Sequence, residues 1–254
     1  MSPLAAAGAA LVAALVGRTA GWLTAPGTAW AAVIGTAVLV GAGLRGGALL
    51  ALFFLSGSLL TRRNEGGVTR SGVQRGSGQV LANGWVAAVG GLLVPAAPGV
   101  GHALLAGGLA AAQADTWATE LGARSARPPV LITSGMPVSP GTSGGVTFVG
   151  TMGGVVGAAV LAGMAMLVGV PARVAISAGV GGVFGMVLDS VLGATVQAGF
   201  RCAACGRLSE SANPGCDHGA PMPTGWGWVS NDVVNGVATA CGAVVSVALF
   251  LGIR

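Results

Sequence analysis

Leu39-Val40-Gly41-Ala42-Gly43-Leu44-Arg45-Gly46-Gly47-Ala48-Leu49-Leu50 is the stretch on which the fold turns. Apolar sequence extends from it in both directions, from Thr28 to Leu60, with Arg45 its single charge. A straight crossing of a bilayer takes about 20 residues. Residues 28–60 are therefore too long for one crossing and short for two. The glycines around Arg45 allow two thinned crossings, 28–43 and 46–60, or one crossing with a re-entrant piece.

Working outward, apolar runs of similar length recur at 4–17, 79–97, 100–121, 145–169, 172–197 and 229–252. Only 12 basic and 7 acidic residues occur among 254, glycine contributes 47, and the mean hydropathy is +0.81. A soluble domain normally carries about a quarter charged residues, so an ordinary soluble enzyme is excluded. The predicted fold is all-α: a polytopic transmembrane bundle of seven to eight spans, with short helices and glycine-rich cytoplasmic loops, forming a single integral membrane domain over residues 1–254.

All basic side chains are arginine, and lysine and tyrosine are absent. That removes lysine-dependent phosphate loops and Schiff-base chemistry. The net charge of +5 is modest, and no basic run is interleaved with aromatics, so no nucleic-acid partner is expected. Eight spans sort the arginines: Arg18, Arg62, Arg63, Arg70, Arg75, Arg124, Arg127, Arg201 and Arg207 fall on one side, and Arg45, Arg173 and Arg254 on the other. The positive-inside rule makes the first side cytoplasmic. Both termini are then expected outside a bacterial or archaeal cytoplasmic membrane. Arg18 follows the first apolar run rather than preceding it, the reverse of a signal peptide, so no cleavage is expected.

The long loops 61–78, 122–144 and 198–228 share the cytoplasmic side. Four acids lie within or at the edge of spans: Asp115, Glu120, Asp189 and Asp232. A charge in the bilayer centre costs about 2.5–3.5 kcal/mol on insertion scales and generally faces a polar cavity or a partner. With no arginine inside those spans except Arg173, at the far end of its own, a metal ion, a proton or a substrate must supply the positive charge. Thr119 lies one turn from Asp115, Asn231 one turn from Asn235, and Gln197 two turns from Asp189. Carboxylates with amides and hydroxyls form an oxygen-rich set suited to magnesium, with Asp115, Asp189 and Asp232 as its ligands.

Arg62, Arg63, Arg70 and Arg75 lie in a glycine-rich loop that opens into a helix bearing Gln79 and Asn83. Arginine forks and free amides at a helix start both suit phosphate. Ser139-Pro140-Gly141-Thr142-Ser143-Gly144-Gly145 offers a second cradle, with Thr142 and Ser143 as its hydroxyls. Cys202-Ala203-Ala204-Cys205 and Cys216-Asp217-His218 can supply four ligands to a structural zinc knuckle in loop 198–228, or remain reduced thiols. Cys241 reads as a packing residue and His102 as an interfacial one at the external end.

Several of these blocks resemble the integral membrane family that includes the plant phytyl-phosphate kinase of the vitamin E pathway. The matching pieces are Leu23-Thr24, Phe53 to Arg62, Gly78 to Gly84, Ala114 to Gly122, Pro140 to Val146, Gly193 to Gln197 and Asn231 to Asn235, in the same order along most of the chain. The resemblance implies transfer of a phosphoryl group from a nucleoside triphosphate, CTP or another, to a prenyl monophosphate of the phytyl or geranylgeranyl kind, with Mg2+. Asn64-Glu65 and Thr69 depart from it, standing where the family is more basic. Under this reading Thr119, Glu120, Gln197, Asn231, Asn235, Gln79 and Asn83 join the arginines and the cradle hydroxyls in holding substrate. A transporter or lipid flippase driven through the intramembrane acids, and a lipid cytidylyltransferase, are the alternatives. Oligomeric state is not set by any of these residues.

Overall fold

The computed structural model describes residues 1–64, 74–204, 206, 208–209 and 221–252. Its helices are α1 (Pro3–Thr19), α2 (Ala25–Asn64), α3 (Ser77–Leu93), α4 (Pro98–Gly122), α5 (Phe148–Leu167), α6 (Ala172–Thr195) and α7 (Asn231–Gly252). By length and composition, four stretches can each cross a bilayer: Ala25–Arg63, Phe148–Leu167, Ala172–Thr195 and Asn231–Gly252. The helices α1 and α3, at 17 residues each, and the glycine- and alanine-rich α4 run beside them.

The uncertain stretch forms one helical run broken at Gly43, where φ is +61° and ψ is −152°. That backbone region is essentially open to glycine alone. In a straight helix, Gly27 and Gly57 would stand roughly 45 Å apart at 1.5 Å per residue. Instead Gly27 lies against the Arg75 carbonyl and Gly57 against the Arg75 guanidinium, while Gly17 packs on the ring of Phe54. α2 is therefore a hairpin, and 28–43 and 46–60 are its antiparallel arms.

α4 forms the centre. Leu105, Leu109 and Gln113 are fully buried along it, and the Gln113 amide donates to the Gly157 carbonyl at 2.7 Å. Glycine lets its neighbours approach this closely: a Cβ on Gly154 would stand 2.8 Å from the Ala114 carbonyl, and one on Gly182 would stand 2.9 Å from the carbonyl carbon of Ala110. Gly153, Gly154, Gly157, Gly181, Gly182 and Gly185 are all buried at such helix contacts, and Gly179 is half-buried.

The helix contacts sort residues to two ends. Met1, Gly43, Val94 and His102 line one open hollow, and Gly99 lies against the Phe250 ring, so both chain ends approach the same end of the bundle. His102 is buried there and donates from Nδ1 to the Pro98 carbonyl at 2.7 Å. The opposite end holds Thr61, Arg75, Glu120, Thr147, Gln197 and Asp232. Two small antiparallel sheets, not expected from the loops' composition, dress that end. In the first, β1 (Val130–Leu131) pairs with β2 (Gly145–Val146); in the second, β3 (Gly199–Cys202) lies between β4 (Leu208–Ser209) and β5 (Pro221–Thr224).

Candidate functional site

Three helices bring polar side chains, two of them acids, toward one level. Ala111 on α4 packs on Gly185 of α6, which also meets the Ala238 carbonyl of α7, and the Thr239 hydroxyl donates to the Ala82 carbonyl of α3 at 3.0 Å. One turn from this layer toward the loop end, on the same helix faces, come Asp115, Asp189, Asn235 and Gly78. Asp115, Asp189 and Asn235 are half-buried, and Asn231 is exposed at the start of α7. No three His, Cys, Asp or Glu side chains among the described residues gather into a ready-made metal cage.

Asp232 takes a different place. Its carboxylate lies on Gly78, in the first turn of α3, where a Cβ would leave no room for it. Gly76 caps this helix without a side-chain hydrogen bond, and a helix start favours an anion. Asp232 thus occupies the position that the sequence assigned to an incoming phosphate. Gln79 is half-buried beside it, while the Asn83 amide donates to the Gln79 carbonyl at 3.0 Å and is tied to its own helix.

Arg75 is the arginine built into the fold. Its backbone pairs with the segment before α2, the Arg75 amide donating to the Trp22 carbonyl at 2.9 Å and the Thr24 amide to the Arg75 carbonyl at 3.2 Å. Its guanidinium sits 5.2 Å from the centre of the Phe53 ring and 5.7 Å from that of Phe54, where a cation is attracted to the ring face. Burial pulls it down to about 10, against the raising attraction of Glu120, so it stays charged at neutral pH. Glu120 accepts from the Thr61 hydroxyl at 2.7 Å. Arg62 and Arg63 are exposed on the last turn of α2, and Thr119 is exposed on α4. Arg70, Cys205, Cys216 and His218 lie outside the described residues; of the expected zinc ligands only Cys202 is described, buried at the end of β3.

The second cradle joins α6. The Gln197 amide donates to the Ser143 hydroxyl at 2.9 Å, and Gln197 is 7 % exposed. Positive φ at Gly141 and Gly144 turns the loop, and Gly144 packs directly on Ala194. Thr142, Ser143 and Gln197 line a cavity of about 180 Å3, together with Phe200 and Arg201. Sequence reasoning missed Thr61, Phe200 and Arg201. Thr61 stood inside a matched block without a motif of its own, and Phe200-Arg201 follows the last motif residue of α6 with no spacing signal.

A family model described as "Integral membrane protein DUF92" matches residues 8–243. An uncharacterized membrane protein of Synechocystis is 30% identical over 235 residues, covering 88% of this chain and 80% of its own. Protein PGR of Arabidopsis thaliana is 33% identical over 209 residues, covering 68% and 72% respectively. An uncharacterized membrane protein of Methanocaldococcus jannaschii is 30% identical over 191 residues, covering 73% and 79%. No solved structure matches the chain.

Proposed function

Because the chain belongs to the DUF92 integral membrane family, we propose that it is a membrane-embedded lipid-phosphate kinase, passing a phosphoryl group from a nucleoside triphosphate to a prenyl monophosphate. The observation that carries this reading is the gathering at one end of the bundle of Asp115 and Asp189, the buried Arg75 with Glu120, and the Thr142–Ser143 cradle. We read α1, both arms of α2, and α3 to α7 as eight crossings. The end holding Arg18, Arg62, Arg63, Arg75, Arg124, Arg127 and Arg201 faces the cytoplasm, as the positive-inside rule asks. The stacked, exposed Trp226 and Trp228, ring centres 6.0 Å apart, suit the headgroup level at that face.

The chemistry requires little of the protein beyond placement. A phosphate monoester is already anionic at neutral pH; its oxygen attacks the terminal phosphorus of the donor, the bond to the leaving diphosphate breaks, and lipid diphosphate and nucleoside diphosphate result. Arg75 is held between two aromatic faces and Gly57, where it would steady phosphate oxygens as charge moves. Asp115 and Asp189 would hold Mg2+, which commonly takes one or two carboxylates and completes its shell with substrate phosphates; two half-buried acids, with no third acid, His or Cys gathered beside them among the described residues, fit that pattern. When bound, the ion neutralises charge on the transferring group. Asp232 and Glu120 hold α3 and Arg75 in register, positioning roles rather than contacts with the metal.

The test is a product assay on detergent-purified protein with Mg2+, phytyl or geranylgeranyl monophosphate and each of the four nucleoside triphosphates. Lipid diphosphate with nucleoside diphosphate, lost on chelation and restored by Mg2+, is the expected result. Pyrophosphate release would replace the kinase with nucleotidyl transfer. No turnover with any donor overturns the enzyme reading, and flux in proteoliposomes becomes the assay.

A further inference from the structure

We infer that Trp226 and Trp228 are seated in the headgroup layer of the membrane beside the ends of α6 and α7, an aromatic anchor that fixes where the bilayer surface meets the loop end of the bundle. This stands apart from the kinase reading and needs only that the two helices cross the bilayer, for which both are long and apolar enough. The indoles are 57 % and 71 % exposed and stack with ring centres 6.0 Å apart. Two large rings left side by side in water keep apolar surface hydrated at a cost, whereas the headgroup level takes the apolar body of an indole together with its polar N–H.

Backbone bonds hold the pair at one height. The Trp226 amide donates at 2.9 Å to the carbonyl of Val196, the residue that caps α6. The Val229 amide donates to the Trp226 carbonyl and the Ala198 amide to the Val229 carbonyl, both at 2.8 Å. Gly225 turns with φ +69° and lies so close to Gln197 that a Cβ there would stand 2.6 Å from its carbonyl carbon. Val229 is buried and leads into α7, which starts at Asn231. The tryptophans therefore cannot leave the ends of these two helices without breaking several backbone hydrogen bonds.

What covers the pair follows from the helix faces beside it. On α6, Ile176, Val180, Phe184 and Val187 form an exposed apolar stripe at helical spacing, and on α7 so do Val237, Val244 and Leu251. Both stripes end short of the loop end: Thr195 is exposed further along α6, and Ser230 and Asn231 are exposed where α7 begins. This change from apolar to polar on two neighbouring helices marks the edge of the hydrocarbon without reference to tryptophan, and the pair stands level with it. A soluble partner docked on the indoles would have to share that lipid edge. Asp189 precedes Val196 by seven residues, which puts the acid about 10 Å beneath the same surface at 1.5 Å per residue.

Tryptophan emission from the full chain in phosphatidylcholine vesicles, with the lipid brominated either near the glycerol or near the chain end, tests this. The signal of the pair is the difference between wild type and the Trp226→Phe/Trp228→Phe variant, since Trp22, Trp30, Trp85 and Trp117 emit from both. Bromine near the glycerol should remove most of that difference, bromine near the chain end less of it, and aqueous iodide least. Both side chains are exposed, so phenylalanine should leave the melting temperature unchanged; the single variants Trp226→Phe and Trp228→Phe each lose part of the same signal and carry the test if the double variant does not fold. Quenching by iodide with neither brominated lipid effective puts the pair in water and overturns the assignment. Stronger quenching from the chain end than from the glycerol overturns it as well, because the rings then lie in the hydrocarbon. No turnover enters the measurement, so a failed product assay sinks the kinase and leaves the anchor, and a failed quenching experiment does the reverse.

Discussion

Replacing Gly78 by alanine separates packing from chemistry at the loop end of the bundle. The new Cβ would overlap the nearer Asp232 carboxylate oxygen and stand 2.8 Å from Cγ, closer than real side chains come. Something must shift, and the side chain is softer than either helix backbone. Rotating the carboxyl off its preferred geometry costs about 0.5–1.5 kcal/mol. Alanine in place of glycine in a helix returns roughly 0.5–1 kcal/mol. These terms nearly cancel, so the melting temperature in detergent should move by only a few degrees. Activity should not be so forgiving. If Asp232 fixes the start of α3, and through it Gln79 and the phosphate-facing loop end, then displacement by about 1 Å lowers turnover on the order of a hundredfold. The assay is prenyl diphosphate formation beside a thermal melt on the same preparation. Wild-type turnover with an unchanged melt would refute the place given to Asp232, and a collapse of the folded protein would show that the contact serves stability alone.

Three further outcomes are expected. Gly43→Ala forces a side chain into the conformation that reverses α2, at φ +61° and ψ −152°, and should cost about 1–3 kcal/mol, seen as a lower melting temperature with the bound-nucleotide properties of the remaining folded protein intact. Thr61→Val removes the 2.7 Å bond to Glu120 and should cost roughly 1.5–3 kcal/mol, the scale of a hydrogen bond to a charged group; a stability equal to wild type would show Glu120 satisfied without it. If loop 198–228 forms the zinc knuckle, Cys205→Ser should lower the zinc content of purified protein, measured by plasma emission, and unchanged metal content would return Cys202 and its fellows to plain thiols.

A break near Gly43 was legible because two independent signals met there, an apolar run of awkward length and a cluster of glycines around one arginine; whether both arms cross was left open by the sequence. Helix ends were less legible where the connecting residues are themselves apolar. α3 stops at Leu93 although the expected span continued to residue 97, because Val94, Pro95, Ala96 and Ala97 keep hydropathy high while the chain turns. α5 starts at Phe148, behind the Thr147 hydroxyl that accepts from the Gly150 amide at 3.0 Å; hydropathy extended it back to 145. The strands escaped notice for another reason. β5 carries Pro221 and Pro223, residues that argue against a strand, and it is accommodated at the edge of its sheet.

At the candidate site, residue types were legible and partners were not. The structure puts Asp115 and Asp189 on inward faces, each one turn from a residue that packs helix on helix, while the sequence placed them only within or at the edge of spans. It offered no way to distinguish Arg75 from Arg62 and Arg63, because all three read as loop arginines in one glycine-rich stretch. The distinction comes from tertiary structure: Arg75 is pinned through its own backbone to Trp22 and Thr24 and through its guanidinium to Phe53 and Phe54, while the other two remain in solvent. A cation held this way is pre-organised, and its desolvation has been met by folding before any anion arrives. The exposed pair must lose hydration and side-chain freedom at the moment of contact. Arg75→Lys should therefore impair phosphate handling more than Arg62→Lys or Arg63→Lys, because a lysine ammonium lacks the planar surface that rests on two rings. Measuring the donor KM across the three variants decides it, and equal effects would place Arg75 among the loop cations that merely face the membrane.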